Sequence, residues 1–308
     1  MLEHKIEYKT IYTFVANSFA VVLFLLALMI VAGCTTGKAE SIPDIVSFSV
    51  PDKHSLDTDR EILKVMTLNL GHGKGRGMIQ ELVSNDKTRK NLEEIAGILV
   101  RERPHVAAFQ EADIKSRRSG NFNHVHYIAE HAGYREAIHG EHVKGLGFLH
   151  GTALISMLKI SDPLSVTFKP VLLSTDKGFT VCTVEFGASG TKVDVVSVHL
   201  NLASNSARQK QVSQMVNLLS KRGNPLVVMG DFNCQLQDSK KVFDILKNGL
   251  SLSAYELGSK ELHTFPLLNF RLDWILISPE LEFYSYAVLD DRVSDHFPVI
   301  AELTMAGK

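Results

Sequence analysis

The chain is poor in cysteine and tryptophan, with three and one respectively in 308 residues, and it has no surplus of either charge. So few thiols exclude the disulfide framework that staples small secreted domains. If one is consumed at the N-terminus, only Cys182 and Cys234 remain, and both are expected as buried free thiols rather than nucleophiles. Lys and Arg number 33 against 34 Asp and Glu, a formal net charge of −1. The broad basic stripe of non-specific nucleic-acid binding is therefore absent from the total. A nucleic-acid substrate is not favoured by charge, although a local basic groove is compatible with a neutral sum. Repeats and low-complexity tracts are missing too, which excludes solenoids and arrays. What remains, 45% hydrophobic and 22% charged residues, is ordinary globular usage with ample material for a core.

The one long apolar run is N-terminal. Lys5 and Lys9 precede Ile11 to Gly33, the layout of a basic n-region and an apolar h-region in an export signal. The run closes on Val31-Ala32-Gly33-Cys34, which resembles the lipobox of bacterial lipoproteins. That resemblance implies cleavage before Cys34 and acylation of its thiol and new amino group. An uncleaved anchor is the alternative, because about 20 apolar residues span a bilayer. Thr35 after the cysteine points to an outer-membrane address in the bacterial cell envelope. The expected partition is a signal over 1–33, a polar tether over 34–60 and a folded domain over 61–308.

Within the domain, short β-rich runs alternate with helical spacings. Ile62 to Leu70, His105 to Phe109, Thr152 to Ile155, Val171 to Leu173, Thr180 to Phe186, Val193 to Leu200 and Pro225 to Met229 read as strands. Arg271 to Ile277, Phe283 to Val288 and Val299 to Leu303 complete them. Lys90 to Arg101 and Ser206 to Leu219 have helical periodicity. Many strands with interspersed helices predict sheets covered by helices, a layered α/β arrangement.

Six strand-to-loop junctions end in groups able to bind a hard metal or a phosphate. They are Asn69; Glu111; His199 with Asn201; Asp231 with Asn233; Asp273; and Asp295 with His296. Charged side chains at strand ends are rarely buried unless paired or ligating. Glu111 is a hard oxygen donor suited to Mg²⁺. Asn69 can support such an ion or touch phosphate without adding charge. Asp231 and Asn233 are two apart, so in an extended chain they share a face. His296 is the natural proton-handling group, as base or as phosphate-stabilising cation according to its partner.

In this order the set resembles the endonuclease/exonuclease/phosphatase superfamily, over about Lys64 to Leu303. Gly230-Asp-Phe-Asn and Ser294-Asp-His-Phe-Pro-Val are the specific motifs; Leu68-Asn-Leu and Gln110-Glu are weak alone but correctly placed. The resemblance implies a DNase-I-like four-layered α/β sandwich, two packed mixed β-sheets flanked by helices. It also implies roles. Glu111, Asp295 and Asn69 would hold Mg²⁺, or Mn²⁺ in its place. Asp231 would orient the attacking water, Asn233 and Asn201 would contact phosphate, and Asp273 would fix the His296 imidazole. His199 matches a second histidine found in DNase-I-like and sphingomyelinase-like members and absent from abasic-site endonucleases. Whether Asp231 or His296 is the base stays open.

Weaker features surround these. The loop Gly71 to Gly77, with Lys74 and Arg76, is read as an active-site rim or a plain turn. Histidines 124, 126, 131, 139, 142 and 150 suggest a substrate-facing insertion more than a zinc site, with His150 and Arg135 as substrate contacts. Trp274 is read as core. The expectation is an exported, membrane-anchored phosphoric ester hydrolase, with a lipid head group or related phospho-compound as substrate and no protein partner. The rivals are an exported nuclease and a non-catalytic binding lipoprotein.

Overall fold

Alternation along the strands decides which side chains enter which layer. In β4 (Leu63–Asn69), Leu63 and Val65 join one buried cluster while Met66 and Leu68 join another. The same split divides β5 (Val106–Asp113), with Val106 and Ala108 on one side and Ala107 and Phe109 on the other. Strands apolar on both faces belong between two layers. The structure is a computed structural model that describes residues 35–36, 39–49, 61–75, 84–145, 147–172 and 174–307. The signal-like run, Cys34, Arg76 and Gly77 lie outside the described residues.

One sheet contains β1 (Thr35–Thr36), β7 (Val143–Gly145), β8 (Phe148–Ser156), β5, β4, β16 (Val299–Met305) and β15 (Leu281–Val288), in that order. A side branch has β6 (Glu136–His139) pairing β8 and β3 (Val46–Ser47). The other sheet runs β13 (Ser253–Ala254), β14 (Asp273–Ile277), β12 (Leu226–Asp231), β11 (Thr191–His199), β10 (Gly178–Phe186), β9 (Ile160–Thr167) and β2 (Glu40–Ser41). Both sheets are mixed: β4–β5 and β11–β12 are parallel and their neighbours are antiparallel.

Three apolar clusters define four layers. Helices α1 (Asn85–Glu102) and α2 (His124–Ala132) cover the first sheet through Leu92, Ile95, Leu99 and Ile128. Helices α3 (Asn205–Leu219) and α4 (Leu236–Leu250) cover the second through Val212, Met215, Phe243 and Leu246. Val65, Ala108, Val195, Val227, Met229 and Ile275 fill the space between the sheets. Truncating one such methionine or valine to alanine costs about 2 kcal/mol or more. The expected four-layered sandwich of two mixed sheets is the observed fold.

Several expectations are corrected. Of the strand expected over Val171 to Leu173, Leu173 lies outside the described residues, and Val171 and Leu172 lie in a turn after Pro170, with Leu172 exposed. Strand β9 was hidden by Pro163, a residue that cannot donate to a ladder and is confined to sheet margins. Within the stretch expected as a tether, the described residues Glu40–Ser41 (β2) pair with β9 and Val46–Ser47 (β3) with β6. The unpaired edges of both sheets offer backbone groups that an adjacent polar segment can satisfy. The His124–His150 stretch, expected to face substrate, builds α2 and the margin β6–β7–β8 of the first sheet.

Candidate active site

The site continues the inter-sheet core past its end. On β11, the face that buries Val193 and Val195 carries Ser197 and then His199; on β12, that of Val227 and Met229 reaches Asp231. On β14, running the opposite way, Ile277 and Ile275 lead to Asp273. On β4, Leu63 and Val65 lead to Asn69. A period of two therefore delivers four polar groups to one end of the inter-sheet space. Beneath them, Gln110 bridges the sheets, donating from Nε2 to Thr67 Oγ1 at 3.2 Å and to Ser197 Oγ at 3.1 Å.

Glu111 has the wrong parity for that face, and the backbone corrects it. The register of β5 against β8 shifts between Phe109 and Ala112, and Glu111 has a φ of 49°. A bulge of this kind re-aims a side chain and costs conformational energy that only surrounding structure can hold. Gly230 answers a different demand. Its φ is 148°, and a Cβ there would lie 2.0 Å from the Val198 carbonyl oxygen, so only glycine fits between β11 and Asp231.

Asp231 is the centre of the cluster and is 1% exposed. Its Oδ2 accepts from Asn69 Nδ2 at 3.0 Å and lies 3.3 Å from His199 Nε2 and 4.0 Å from His296 Nε2. Its Oδ1 accepts from the Asn233 backbone N–H at 2.8 Å. Burial pushes the Asp231 carboxyl up to about 7, against the pull of His296. His296 Nδ1 donates to Asp273 Oδ2 at 2.7 Å. Burial opposes charge on His296, but Asp273 and Asp231 outweigh it and lift the imidazolium to about 10. The backbone N–H groups of Leu272 and Asp273 both donate to Thr264 Oγ1 at 3.0 Å, which fixes the start of β14. Asp273 Oδ1 is buried without a hydrogen-bond partner among the described residues.

Glu111 meets cations. His72 Nε2 lies 3.5 Å from one oxygen and Lys177 Nζ 3.8 Å from the other. Burial favours the neutral acid, yet His72, Lys177, His199 and His150 together hold Glu111 well below the usual carboxylate range. Lys177 is itself pushed down by burial, with Glu111 and Asp231 opposing. Its ammonium is 3.4 Å from His199 Nδ1, and burial and Lys177 drive His199 well below the ordinary histidine value.

Asn69, Glu111, Lys177, His199, Asp231, Asn233, Asp295 and His296 all line one cavity of about 370 Å³. The fit to a metal follows from the donors. Glu111 has only ion-pair neighbours among the described residues, and Asp295 accepts from Ser294 Oγ through Oδ1 at 3.0 Å. Oxygen lone pairs therefore remain for a hard cation, and Mg²⁺ is satisfied by one or two carboxylates completed by water and phosphate. Asp231, Asp273 and His296 also gather ligand atoms within 4.8 Å of one another.

Three sequence assignments change. Asn201 is outside the cavity lining and organises a loop: Nδ2 donates to Ser174 Oγ at 2.7 Å, and Oδ1 accepts from the Ala203 and Ser204 N–H groups at 3.1 and 2.9 Å. Its amide is spent on the turn that leads into α3. Asn233 does not extend β12 beside Asp231; it has a φ of 50° and donates from Nδ2 to the Leu200 carbonyl at 3.0 Å. Arg135 is exposed in the turn between α2 and β6, away from the cavity. Trp274 is core as expected, 1% exposed with Nε1 donating to the Cys234 carbonyl, and Cys182 and Cys234 are both buried and outside any disulfide. Lys177 and Arg208 were missed; each stands in a segment with no motif, and only the fold brings them to the cavity.

The fold has solved relatives. An endonuclease/exonuclease/phosphatase from Beutenbergia cavernae shares 18% identity, covering 80% of this chain and 72% of that one, with a TM-score of 0.62. The mannosyl-6-phosphatase Bt3783 of Bacteroides thetaiotaomicron shares 18% identity over 79% of this chain and 100% of its own, with a TM-score of 0.57. The human Nocturnin catalytic domain with bound sulfate shares 17% over 86% and 98%, again at 0.57. At these identities the likeness establishes the fold. No curated protein matches by sequence. The model of the Endonuclease/Exonuclease/phosphatase family matches residues 66–296. With the motifs, the site and the fold in agreement over well over half its length, the chain belongs to the endonuclease/exonuclease/phosphatase family.

Proposed function

We propose that the protein is a metal-dependent phosphoric ester hydrolase whose attacking water is activated between Asp231 and His296. The observation behind this reading is the run of Asp273, hydrogen-bonded to His296 Nδ1, and Asp231, whose Oδ2 lies 4.0 Å from His296 Nε2, opening into the cavity that Glu111 and Asp295 also line. Glu111 and Asp295, with the Asn69 amide, would hold Mg²⁺ or Mn²⁺, which polarises a phosphoryl oxygen and stabilises the leaving oxyanion. Asp231 orients the water and accepts its proton. His296, braced by Asp273, presents Nε2 to the phosphate. Lys177, His199 and Asn233 supply further positive or N–H edges around it. Two of the solved relatives fit such chemistry, one described as a phosphatase and one carrying a sulfate, a tetrahedral oxyanion.

A phosphate ester at a lipid surface is the favoured substrate class. Leu202 and Leu268 line the cavity and are 68% and 54% exposed, with Leu267 beside them at 65%. The lining cations are already engaged. Arg208 donates to the Asn201 and Leu202 carbonyls at 2.9 and 2.8 Å, and Lys177 faces Glu111. A nucleic-acid groove calls for cations free to meet successive phosphates, whereas an apolar rim suits an acyl-bearing substrate. Export and acylation at Cys34 complete the proposal and would keep the domain at the bacterial envelope, with the lipid anchor as its membrane contact.

A substrate panel tests it: phosphoinositide and sphingomyelin vesicles, supercoiled DNA and simple phosphomonoesters, each with Mg²⁺ and with EDTA. The expected result is EDTA-sensitive turnover of a vesicle substrate that His296→Ala abolishes. Preference for DNA would replace the lipid reading with a nuclease. Absence of turnover on every ester would leave a binding protein. Incorporation of a clickable fatty acid, lost in Cys34→Ala, tests the anchor.

A further inference from the structure

A second group of metal-ligating atoms stands outside the cavity. His72, Asp113 and His150 each offer an atom, and all three atoms lie within 4.8 Å of one another. The three residues come from different elements. Asp113 ends β5, His150 is its cross-strand partner on β8, and His72 belongs to the glycine loop after β4. None of them lines the catalytic cavity. From these positions we propose a separate binding site for one Zn²⁺ ion, held by His72 Nδ1, Asp113 Oδ1 and a ring nitrogen of His150.

The surroundings are arranged as a metal site needs. His72 Nδ1 is 3.0 Å from Asp113 Oδ1, and its other nitrogen is 3.5 Å from Glu111 Oε2. A neutral imidazole that ligates through Nδ1 keeps its proton on Nε2, where Glu111 receives it. Such carboxylate–histidine–metal relays orient the ligand and raise its basicity. The second oxygen of Asp113 accepts a short hydrogen bond from Ser119 Oγ, which leaves Oδ1 for the ion. His150 stands edge-on to the His72 ring, centroids 4.8 Å apart, and no described residue hydrogen-bonds its nitrogens. A simple His72–Asp113 ion pair explains neither that placement nor its missing partner.

The backbone is committed as well. Gly71, His72 and Gly73 have φ values of 51°, 57° and 71°. A non-glycine residue in this region is strained, and strain of this kind collects at ligand clamps. A Cβ on Gly73 would come within 3.0 Å of the His124 ring, so the loop is seated closely on α2. Two imidazoles and one carboxylate suit zinc better than magnesium, which takes oxygen ligands. Three protein ligands, with His72 and His150 only half-buried, leave a coordination position for water or another ligand.

The test is binding, independent of any esterase activity. Wild-type protein, His150→Ala, Asp113→Asn and His296→Ala would be dialysed against Zn²⁺ with Mg²⁺ in large excess, then assayed for bound metal and melting temperature. Wild type and His296→Ala should each keep a zinc ion that raises the melting temperature; His150→Ala and Asp113→Asn should each lose that equivalent. His150 is only half-buried and no described residue hydrogen-bonds its ring, so its variant should fold even if the Asp113 variant does not. Co²⁺ in place of Zn²⁺ should show the visible absorption of a site containing nitrogen ligands, and His150→Ala should remove it. Wild type that keeps no zinc overturns the site, as does zinc that survives His150→Ala or disappears only in His296→Ala.

Discussion

Two buried aspartates at opposite ends of neighbouring strands show how this fold separates structure from chemistry. Asp194, near the start of β11, is fully buried and fully paired. It accepts from Thr183 Oγ1 at 2.6 Å, from Arg222 at 2.8 and 3.1 Å and from Asn224 Nδ2 at 3.2 Å. Asp231, at the far end of parallel β12, shares its surroundings with Asp273 and pairs with no arginine among the described residues. Asp273 keeps one oxygen that no described residue hydrogen-bonds. A buried carboxylate with every lone pair answered serves stability, whereas one left short keeps capacity for an outside proton, ion or phosphate.

The sharpest break in that comparison is catalytic. Asp231→Asn and His296→Ala should each lower turnover by about 10²–10⁴-fold, the range of a lost general acid or base. Their urea midpoints should move less than that of Asp194→Ala. That variant strands the Arg222 guanidinium and should cost about 3 kcal/mol, the lower end for breaking a buried pair because Arg222 is partly exposed. Its folded fraction should retain wild-type turnover. Loss of turnover in Asp194→Ala with full activity in Asp231→Asn would reverse the two roles.

A smaller effect concerns acid. His142 is buried between the sheets, with Nδ1 3.1 Å from Thr167 Oγ1 and Nε2 2.8 Å from Thr152 Oγ1. Burial pushes its pKa down to about 3. The unfolded chain, with histidine near about 6.5, then binds a proton that the folded one refuses. Stability contributed by neutral His142 is complete above about pH 6.5 and declines as pH falls toward about 3. Denaturation midpoints across that window should fall less steeply in His142→Gln. An equal slope would remove His142 from the acid response.

The smallest change expected is at the rim. Leu202→Ser with Leu268→Ser should raise KM for a vesicle substrate several-fold and leave turnover of a soluble phosphomonoester unchanged. Stability should shift by no more than about 0.5 kcal/mol per surface site. Equal KM on vesicles would detach the exposed leucines from substrate choice.

Much of the site was legible because strand ends announce themselves. Asp231, Asp273, His199 and Asn69 each stand at the end of an apolar strand run, which marked them as candidates, while the parity read between Asp231 and Asn233 failed because Asn233 leaves the strand with a φ of 50°. Glu111 was legible by motif, yet its parity pointed the other way, and only the bulge with φ 49° turns it in. Asn201 shows the opposite failure: next to His199 it reads as a phosphate contact, while its amide closes a loop. Lys177 carried no signal, since a lysine after a turn is ordinarily solvated. Strand β9 was masked by Pro163, and α2 by histidines that mimic a binding insertion.

The sequence by itself determined the layers, the site's acidic and imidazole residues, and membership in a family, because these depend on local periodicity and on short motifs. Tertiary structure alone decided which groups meet. The Asn69–Asp231 hydrogen bond joins residues 162 apart, and His72, Asp113 and His150 gather from a loop and two strands. Such distances depend on sheet order, register and a bulge, all fixed by how the two sheets pack rather than by any neighbour along the chain.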